Sequence, residues 1–294
     1  MEKRMYCFAG VEIEITMPEE RFYTNEYRLA PFRVNQVENP YRMNFRWVDE
    51  LSEPQGKLVS RISIADIYEN GGEQIQYMTK GYTDWRKAFV RISRKEKHLE
   101  IEVKKRYVQE RITLKRVLEC MGVEQLVVDA GGFVLHSSYI DIGGQAILFT
   151  ASSGTGKSTQ ADLWNELRGS EIINGDRTAV RKVATESGDV ILAEGIPFAG
   201  SSQYCLKRSL PIQAIVFLEQ APVTTIRRLR GHQAFSAIWK GCTVNTWNRE
   251  EMEKFSETVL HVAEKVPVFH LACTPDESAI VALEKALKDG NCNE

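Results

Sequence analysis

The stretch from Gln145 to Leu167 constrains this chain more than any other part of the sequence. A short apolar run, Gln145-Ala-Ile-Leu-Phe-Thr150, leads into Ala151-Ser-Ser-Gly-Thr-Gly-Lys-Ser158, and a segment with helical periodicity follows. This order of strand, Gly-rich turn and helix is typical of a phosphate-binding P-loop. In such a loop, consecutive backbone N–H groups surround an anion at the positive end of a helix dipole. The sequence therefore predicts a site for a phosphorylated ligand.

The P-loop motif assigns a chemical role to most of its residues. Gly154 and Gly156 allow the backbone to curve around an anion, because glycine has no Cβ to clash. Lys157 is expected to reach the β- and γ-phosphates, and the Ser158 hydroxyl to hold Mg²⁺. Ala151 is a small residue at the position of the first glycine of the strict motif. The predicted nucleotide contacts are Ser152, Ser153, Gly154, Thr155, Gly156, Lys157, Ser158 and Thr159.

Composition and charge argue against several other classes of protein. A net charge of −2 and a pI of about 6.3 give no indication of nucleic acid or an anionic membrane as partner. We find no secretory core at the start of the sequence and no apolar run near the roughly 20 residues that span a bilayer. The six cysteines lack C-x-x-C spacing, which favours reduced thiols over disulfides or zinc. These features predict a cytoplasmic protein.

The sequence of the first third of the chain predicts a small β-rich domain. Alternating or apolar stretches bounded by turn formers predict several strands there. Aromatic residues are dense between Phe22 and Trp47. They could bind a peptide or another subunit, or they could form the polar and aromatic surface of a small sheet. The pattern turns helical from Arg111 to Met121, so we divide the chain into domains 1–111 and 112–294. The predicted strands are Cys7–Thr16, Lys57–Ile64, Gln74–Met78, Phe89–Ile92 and Leu99–Val103.

The second part of the chain mixes strands and helices without regular alternation. Gln125–Val128, Gly132–Leu135 and Ser138–Ile142 read as three strands before the P-loop, and further strands follow one another without helices between them. A doubly wound fold would alternate strand and helix more regularly. We therefore predict an α/β fold with a mixed sheet and the P-loop helix on one of its faces.

Four short stretches together resemble a known family of P-loop kinases. They are Leu135-His-Ser-Ser-Tyr-Ile140, the P-loop, Ile173-Asn-Gly-Asp-Arg177 and Gly195-Ile-Pro-Phe-Ala-Gly200. From about Leu114 to its C-terminus, the chain resembles the catalytic domain of HPr kinase/phosphorylase and its relatives, a branch akin to ATP-dependent phosphoenolpyruvate carboxykinase. The resemblance implies a mixed-sheet P-loop kinase domain of that type that uses ATP and Mg²⁺, preceded here by the smaller β-rich domain.

The resemblance also implies roles for individual residues. His136 matches a histidine near the transferred phosphate, and Asp176 matches an aspartate thought to act as general base on the acceptor hydroxyl. Lys157 is carried over as a catalytic phosphate-binding residue, and Ser158 and Glu194 as ligands of the metal. The chain departs from the family at Gly175, where members usually have a second aspartate, and its N-terminal domain does not match that of HPr kinase. The phosphocarrier substrate of HPr kinase is therefore not transferred.

Other charged residues compete for roles in the predicted site. Glu219 ends an apolar strand, so it could hold the metal in a Walker-B-like position or lie on the surface as an ordinary glutamate. Asp176 itself could be a base, a metal ligand or a turn residue. Arg227, Arg228 and Arg230 form the densest basic patch of the catalytic part, and one of them could reach the γ-phosphate.

These observations predict an ATP- and Mg²⁺-dependent kinase that phosphorylates a hydroxyl, such as serine in a protein or peptide. One alternative is a small-molecule kinase or a carboxykinase-like enzyme on the same scaffold. The other is a nucleotide-binding regulatory protein without phosphotransfer, an option that Gly175 keeps open. The expected partners are a nucleotide and a protein, peptide or small-molecule acceptor, with no nucleic acid or membrane. Whether the chain forms a homo-oligomer is left open.

Overall fold

The computed structural model describes residues 1–18, 27–62, 65–79, 84–109, 118, 122–186 and 188–290. Their contacts divide the chain into two compact units, Met1–Val123 and Glu124–Glu294. The predicted domain boundary between residues 111 and 112 lies outside the described residues, as does the helix predicted from Arg111 to Met121 except at Leu118. Among the helices of the described residues, none combines the length and apolarity that crossing a bilayer requires.

The first unit consists mainly of one mixed sheet of nine strands. The strand order is β3-β1-β2-β4-β9-β8-β7-β6-β5, with β2, β4 and β9 parallel neighbours and all other pairs antiparallel. The elements are β1 (Glu2–Phe8), β2 (Val11–Met17), β3 (Arg33–Val34), β4 (Tyr41–Val48), β5 (Lys57–Ile62), β6 (Ala65–Asn70), β7 (Glu73–Met78), β8 (Val90–Lys95), β9 (His98–Lys104), helix α1 (Lys105–Gln109) and two 3₁₀ turns, Ala30–Phe32 and Trp85–Lys87.

Three details of this sheet differ from the sequence-based prediction. The strand predicted over Cys7–Thr16 is two strands, because the backbone reverses at Ala9 and Gly10, which both have positive φ. Three strands, β3, β4 and β6, were not predicted. The aromatic-rich stretch predicted to lie on the surface buries Tyr41 and Phe45, because alternate residues of β4 face the core. Residues 22–26 of that stretch, and residues 63 and 64 of the predicted strand Lys57–Ile64, lie outside the described residues.

The second unit contains eight strands and five helices among the residues that the structure describes. The strands are β10 (Gly132–Ile142), β11 (Gln145–Thr150), β12 (Glu171–Asn174), β13 (Arg177–Thr185), β14 (Gly188–Gly195), β15 (Ser209–Gln220), β16 (Thr225–Leu229) and β17 (Val268–Cys273). The helices are α2 (Val123–Asp129), α3 (Lys157–Arg168), α4 (His232–Lys240), α5 (Arg249–Lys265) and α6 (Glu277–Gly290).

The long strand β10 organises the sheet of this unit. Its first half pairs with β13, and its second half pairs with β11 on one side and β12 on the other. The strands predicted separately over Gly132–Leu135 and Ser138–Ile142 are therefore one strand, which changes partners near its middle. The strand predicted over Gln125–Val128 was wrong, since these residues lie in α2. A four-residue apolar run does not distinguish a strand from a short buried helix.

The remaining pairings confirm a mixed α/β arrangement. β15 is parallel to β11 and to β17, whereas β13, β14 and β16 pair with antiparallel neighbours. Helices α3 and α6 pack against one apolar core of the sheet, and α4 and α5 pack against another. Because β11 and β15 are parallel neighbours, the loops after Thr150 and Gln220 leave the sheet at the same edge.

Candidate active site

The loop between β11 and α3 has the backbone geometry that the sequence predicts for a P-loop. Gly156 precedes the helix with φ 112°, a conformation that favours glycine, and no side chain caps the helix end. The first N–H groups of an α-helix have no partner within the helix, so they remain available to an anion. The loop therefore presents a positive helix end with open donors.

Lys157 lies across this loop and is largely buried. Its Nζ donates hydrogen bonds to the carbonyl oxygens of Ala151 at 3.1 Å and Ser152 at 3.4 Å. Burial lowers the pKa of the Lys157 ammonium, and the nearby carboxylate of Asp176 opposes that effect. Charge on a half-desolvated ammonium interacts strongly with phosphate, because little water screens it.

Asp176 occupies the turn between β12 and β13, and Asn174 shapes that turn. The Asn174 side-chain oxygen accepts hydrogen bonds from the backbone N–H groups of Asp176 and Arg177, both at 3.0 Å. Its amide nitrogen donates to the carbonyl oxygens of Ile196 at 3.0 Å and Phe198 at 3.3 Å. Asn174 is fully buried. Its side chain therefore ties the Asp176 turn to the loop that follows β14.

His136 on β10 contacts Asp176 directly. His136 Nε2 lies 2.7 Å from Asp176 Oδ1, and the backbone N–H of Ser137 donates to the Asp176 carbonyl oxygen at 3.0 Å. The hydrogen bond from His136 is the largest influence on the Asp176 carboxyl, and it lowers the pKa against the opposing effect of burial. The positive charges of Arg177 and Lys157 lower it further. Asp176 is therefore an ionised carboxylate at neutral pH.

The predicted catalytic residues line one cavity, which we name the polar cavity. His136, Asp176, Lys157 and Ser158 all face it, and its volume is about 570 Å³. The P-loop contributes Ser153, Gly154, Gly156 and Thr159 to the same surface. The segment from Ser201 to Tyr204 closes part of its wall. The fold thus brings together a phosphate-binding helix end, an ammonium, a hydroxyl and a carboxylate–imidazole pair.

The polar cavity has the donor set that Mg²⁺ requires beside a nucleotide. Mg²⁺ is bound through one or two protein oxygen ligands, with phosphate and water oxygens completing the octahedron. The Ser158 hydroxyl and the Asp176 carboxylate supply such oxygens in one cavity. Among the described residues, no group of three or more His, Cys, Asp or Glu side chains could form an all-protein metal centre. These residues fit a metal shared with phosphate.

Close packing explains the single aspartate of the turn. A Cβ on Gly175 would overlap the Ser202 side chain. Ser202 lies on the loop whose carbonyls Asn174 holds, and its backbone N–H donates to the carbonyl of Ala199 at 2.8 Å. A second acidic side chain at position 175 would therefore need this loop to move.

Glu194, the other predicted metal ligand, lies apart from this group. It is on β14, and the Arg181 guanidinium donates to both of its carboxylate oxygens, at 3.0 and 3.2 Å. The Ser209 hydroxyl also donates to Glu194 at 3.2 Å. Glu194 is buried and does not line the polar cavity. Its oxygens bind three strands of the sheet together rather than facing the P-loop.

Glu219 and His270 form a pair that sequence reasoning did not connect. Glu219 is the penultimate residue of β15, and its carboxylate lies 2.8 Å from His270 Nε2 on β17. Both residues line a further cavity with Ser152, Arg177 and Lys240, and His136 lines both this cavity and the polar cavity. Arg227 contacts Gln233 at 3.4 Å, and neither Arg227, Arg228 nor Arg230 lines either cavity. Glu219 and His270 pair because β15 and β17 are neighbouring strands. A single sequence does not show which strands are neighbours.

Comparisons with solved structures give a weak likeness. The HPr(Ser) kinase/phosphatase from Coxiella burnetii is 10% identical, with a TM-score of 0.32, and the match covers 54% of this chain and 90% of that one. A likeness of this size carries no argument about mechanism.

The family comparison is more extensive. No curated protein matches the chain. Residues 99–288, more than half of the sequence and including the P-loop, His136 and Asp176, match the model of a family described as SynChlorMet cassette protein ScmC. The chain therefore belongs to the ScmC family of SynChlorMet cassette proteins.

Proposed function

We propose that this chain is an ATP- and Mg²⁺-dependent kinase of the HPr kinase type, acting in the cytoplasm on a hydroxyl group of a protein or peptide. The observation that carries the proposal is that Lys157, Ser158, Asp176 and His136 line one cavity at the N-terminus of α3. Phosphoryl transfer requires groups that bind phosphate, hold the metal and orient the acceptor hydroxyl. Its catalysis consists mainly of positioning the reactants and stabilising charge in the transition state.

The phosphate-binding part of the mechanism belongs to the P-loop. The N–H groups at the start of α3 and the Lys157 ammonium bind the triphosphate oxygens and offset their negative charge. The Ser158 hydroxyl would hold Mg²⁺, which would neutralise charge on the transferred group. Because Lys157 is largely buried, little water screens its ammonium, and this strengthens its attraction to phosphate.

The acceptor part of the mechanism belongs to Asp176 and His136. Because the pKa of Asp176 is lowered, its carboxylate is a weak base that orients the hydroxyl before transfer. The acceptor oxygen forms a bond to the γ-phosphorus as the bond to the β–γ bridging oxygen breaks and ADP leaves. Because the transition state of phosphoryl transfer is loose, the hydroxyl proton moves to the carboxylate late in this step. His136 holds Oδ1 by its hydrogen bond and thereby keeps the carboxylate facing the cavity. Asp176 thus acts on the acceptor hydroxyl, and His136 acts through Asp176.

The proposal is tested with acceptor libraries and isotopically labelled ATP. A peptide library with one serine at a fixed position is incubated with the protein and Mg-ATP, and transferred phosphate is measured by mass spectrometry. A matched library with alanine at that position is the control. Transfer to the serine library alone supports a peptide kinase.

Other outcomes separate the alternative functions. Transfer only to a panel of small hydroxyl compounds indicates a small-molecule kinase. Nucleotide binding with slow hydrolysis and no transfer to any acceptor contradicts the kinase and indicates a regulatory nucleotide-binding protein.

A further inference from the structure

A second cavity adjoins the P-loop, is not lined by Asp176, and is here named the apolar cavity. Apart from the P-loop and α3, its walls are the segments at the ends of β15 and β17. Their apolar residues are Leu218, Ala221, Pro222, Cys273 and Pro275, and their polar residues are Glu219, Gln220 and Thr274. The backbone N–H of Ala221 donates to the Cys273 carbonyl at 3.1 Å, which joins the two walls. A mostly apolar pocket with few polar groups is typical of a small-molecule site.

The apolar and polar cavities share the turn of the P-loop. Gly154, Gly156 and Thr159 line both of them. Asp176 lines the polar cavity and does not line the apolar cavity. A nucleotide bound to the P-loop with its terminal phosphate near Asp176 can therefore place its base in the adjoining apolar cavity. Its mostly apolar walls suit an apolar heterocycle, which gains from leaving water.

Gln160 supplies an unusual polar group to the apolar cavity. It lies on α3, one residue after Thr159, and only 3% of its surface is exposed. Its amide nitrogen donates to Cys273 Sγ at 3.5 Å, and its side-chain oxygen has no hydrogen-bond partner among the described residues. A buried acceptor without a donor is costly and rare in folded proteins. The Gln160 oxygen therefore points to a ligand that donates a hydrogen bond.

We propose that the apolar cavity binds the adenine base of the nucleotide and that the Gln160 side-chain oxygen accepts a hydrogen bond from its 6-amino group. This inference rests on the proposed function, since it assumes a nucleotide on the P-loop. Adenine carries a donor at position 6, where guanine carries an acceptor oxygen. Gln160 thereby becomes a specificity-determining residue that favours ATP over GTP.

The experiment compares the affinities of ATP, GTP and purine riboside triphosphate, which lacks the 6-amino group, for the wild-type protein. Inorganic tripolyphosphate reports on the P-loop alone. We expect ATP to bind about tenfold more tightly than purine riboside triphosphate, the size of effect that a lost hydrogen bond to a buried acceptor produces. This comparison needs no variant. Equal affinities for ATP and purine riboside triphosphate overturn the proposal, as does a preference for GTP.

The variant Gln160→Met assigns the effect to this side chain. It keeps the length of the side chain but removes the acceptor, so ATP should weaken to the level of purine riboside triphosphate while tripolyphosphate binding is unchanged. Gln233→Met, the same change on the exposed face of α4, should leave the preference intact. If Gln160→Met still binds ATP tenfold more tightly than purine riboside triphosphate, Gln160 does not recognise the 6-amino group, and the proposal is overturned. If neither ATP nor tripolyphosphate binds the wild type, the nucleotide assignment itself fails, and this proposal fails with it.

Discussion

His136 Nε2 lies 2.7 Å from Asp176 Oδ1, although 40 residues separate them in the sequence. The contact follows from strand register, because His136 is directly opposite Arg177 in the ladder between β10 and β13. The histidine thus reaches the turn residue just before its ladder partner. This pairing holds the Asp176 carboxylate in the polar cavity beside the P-loop. Several of the mutational effects predicted below depend on the position of this carboxylate.

Replacing Asp176 should separate nucleotide binding from turnover. Asp176→Asn keeps the shape of the side chain but removes the negative charge that orients the acceptor and receives its proton. We expect ATP affinity to change by only a few-fold while phosphoryl transfer falls by about 10²–10⁴, the range that removal of a general base costs. Calorimetric titration and single-turnover transfer measure the two quantities. Near-normal turnover in this variant would remove Asp176 from the mechanism.

The same carboxyl should contribute to stability in a pH-dependent way. Its pKa in the folded protein is lowered, so the unfolded chain binds a proton more readily. The contribution is therefore complete above the unfolded pKa of about 3.9 and is lost as pH falls through the lower folded pKa. The difference in unfolding free energy between wild type and Asp176→Asn should shrink as pH falls below about 4 in urea titrations. A difference that grows in acid would contradict the lowered pKa.

Asn174 should affect activity without touching the ligand. Asn174→Ala removes the hydrogen bonds that the Asn174 side chain makes with the carbonyls of Ile196 and Phe198 and with the N–H groups of the Asp176 turn, so we expect a loss of about 1–3 kcal/mol in unfolding free energy. Turnover should also fall, because Asp176 loses its fixed position. Asn165→Ala, which removes one bond to the Ser170 carbonyl, is the control that should spare turnover per folded molecule. Equal effects of the two variants on turnover would argue against positioning by Asn174.

The packing of Gly175 against Ser202 predicts a rescue. Gly175→Asp should destabilise the protein and lower turnover, because the new side chain meets Ser202. Adding Ser202→Gly should restore part of the lost stability, since it removes the overlapping atoms. Thermal unfolding of the single and double variants measures this coupling. Strictly additive effects would show that the overlap does not cause the destabilisation.

The P-loop could be predicted from sequence because all its parts are local. The strand β11, the glycine turn and α3 follow one another within about 24 residues, and each has its own signal. The mixed sheet was likewise predicted, because strands without intervening helices exclude regular alternation. Helix α2 was not predicted, because its short apolar run is compatible with either a strand or a buried helix.

The surroundings of the site depend on contacts between distant segments. The sequence around Glu194 does not indicate that this residue pairs with Arg181. The pairing results from the register of β13 and β14. The Glu219–His270 pair and the buried amide of Gln160 depend in the same way on neighbouring strands and helices. One sequence indicates which residues can act, but tertiary packing decides which of them face the P-loop.

The most direct test of the account is thermal unfolding of the wild type and of Lys157→Ala with and without Mg-ATP. A ligand that binds only the folded state stabilises it by about 2.7 kcal/mol at a hundredfold excess over Kd. We expect Mg-ATP to raise the melting temperature of the wild type, and we expect Lys157→Ala, which lacks the ammonium at the phosphates, to lose most of that rise. A wild-type melting temperature that does not respond to millimolar Mg-ATP would contradict the assignment of this cavity to a nucleotide.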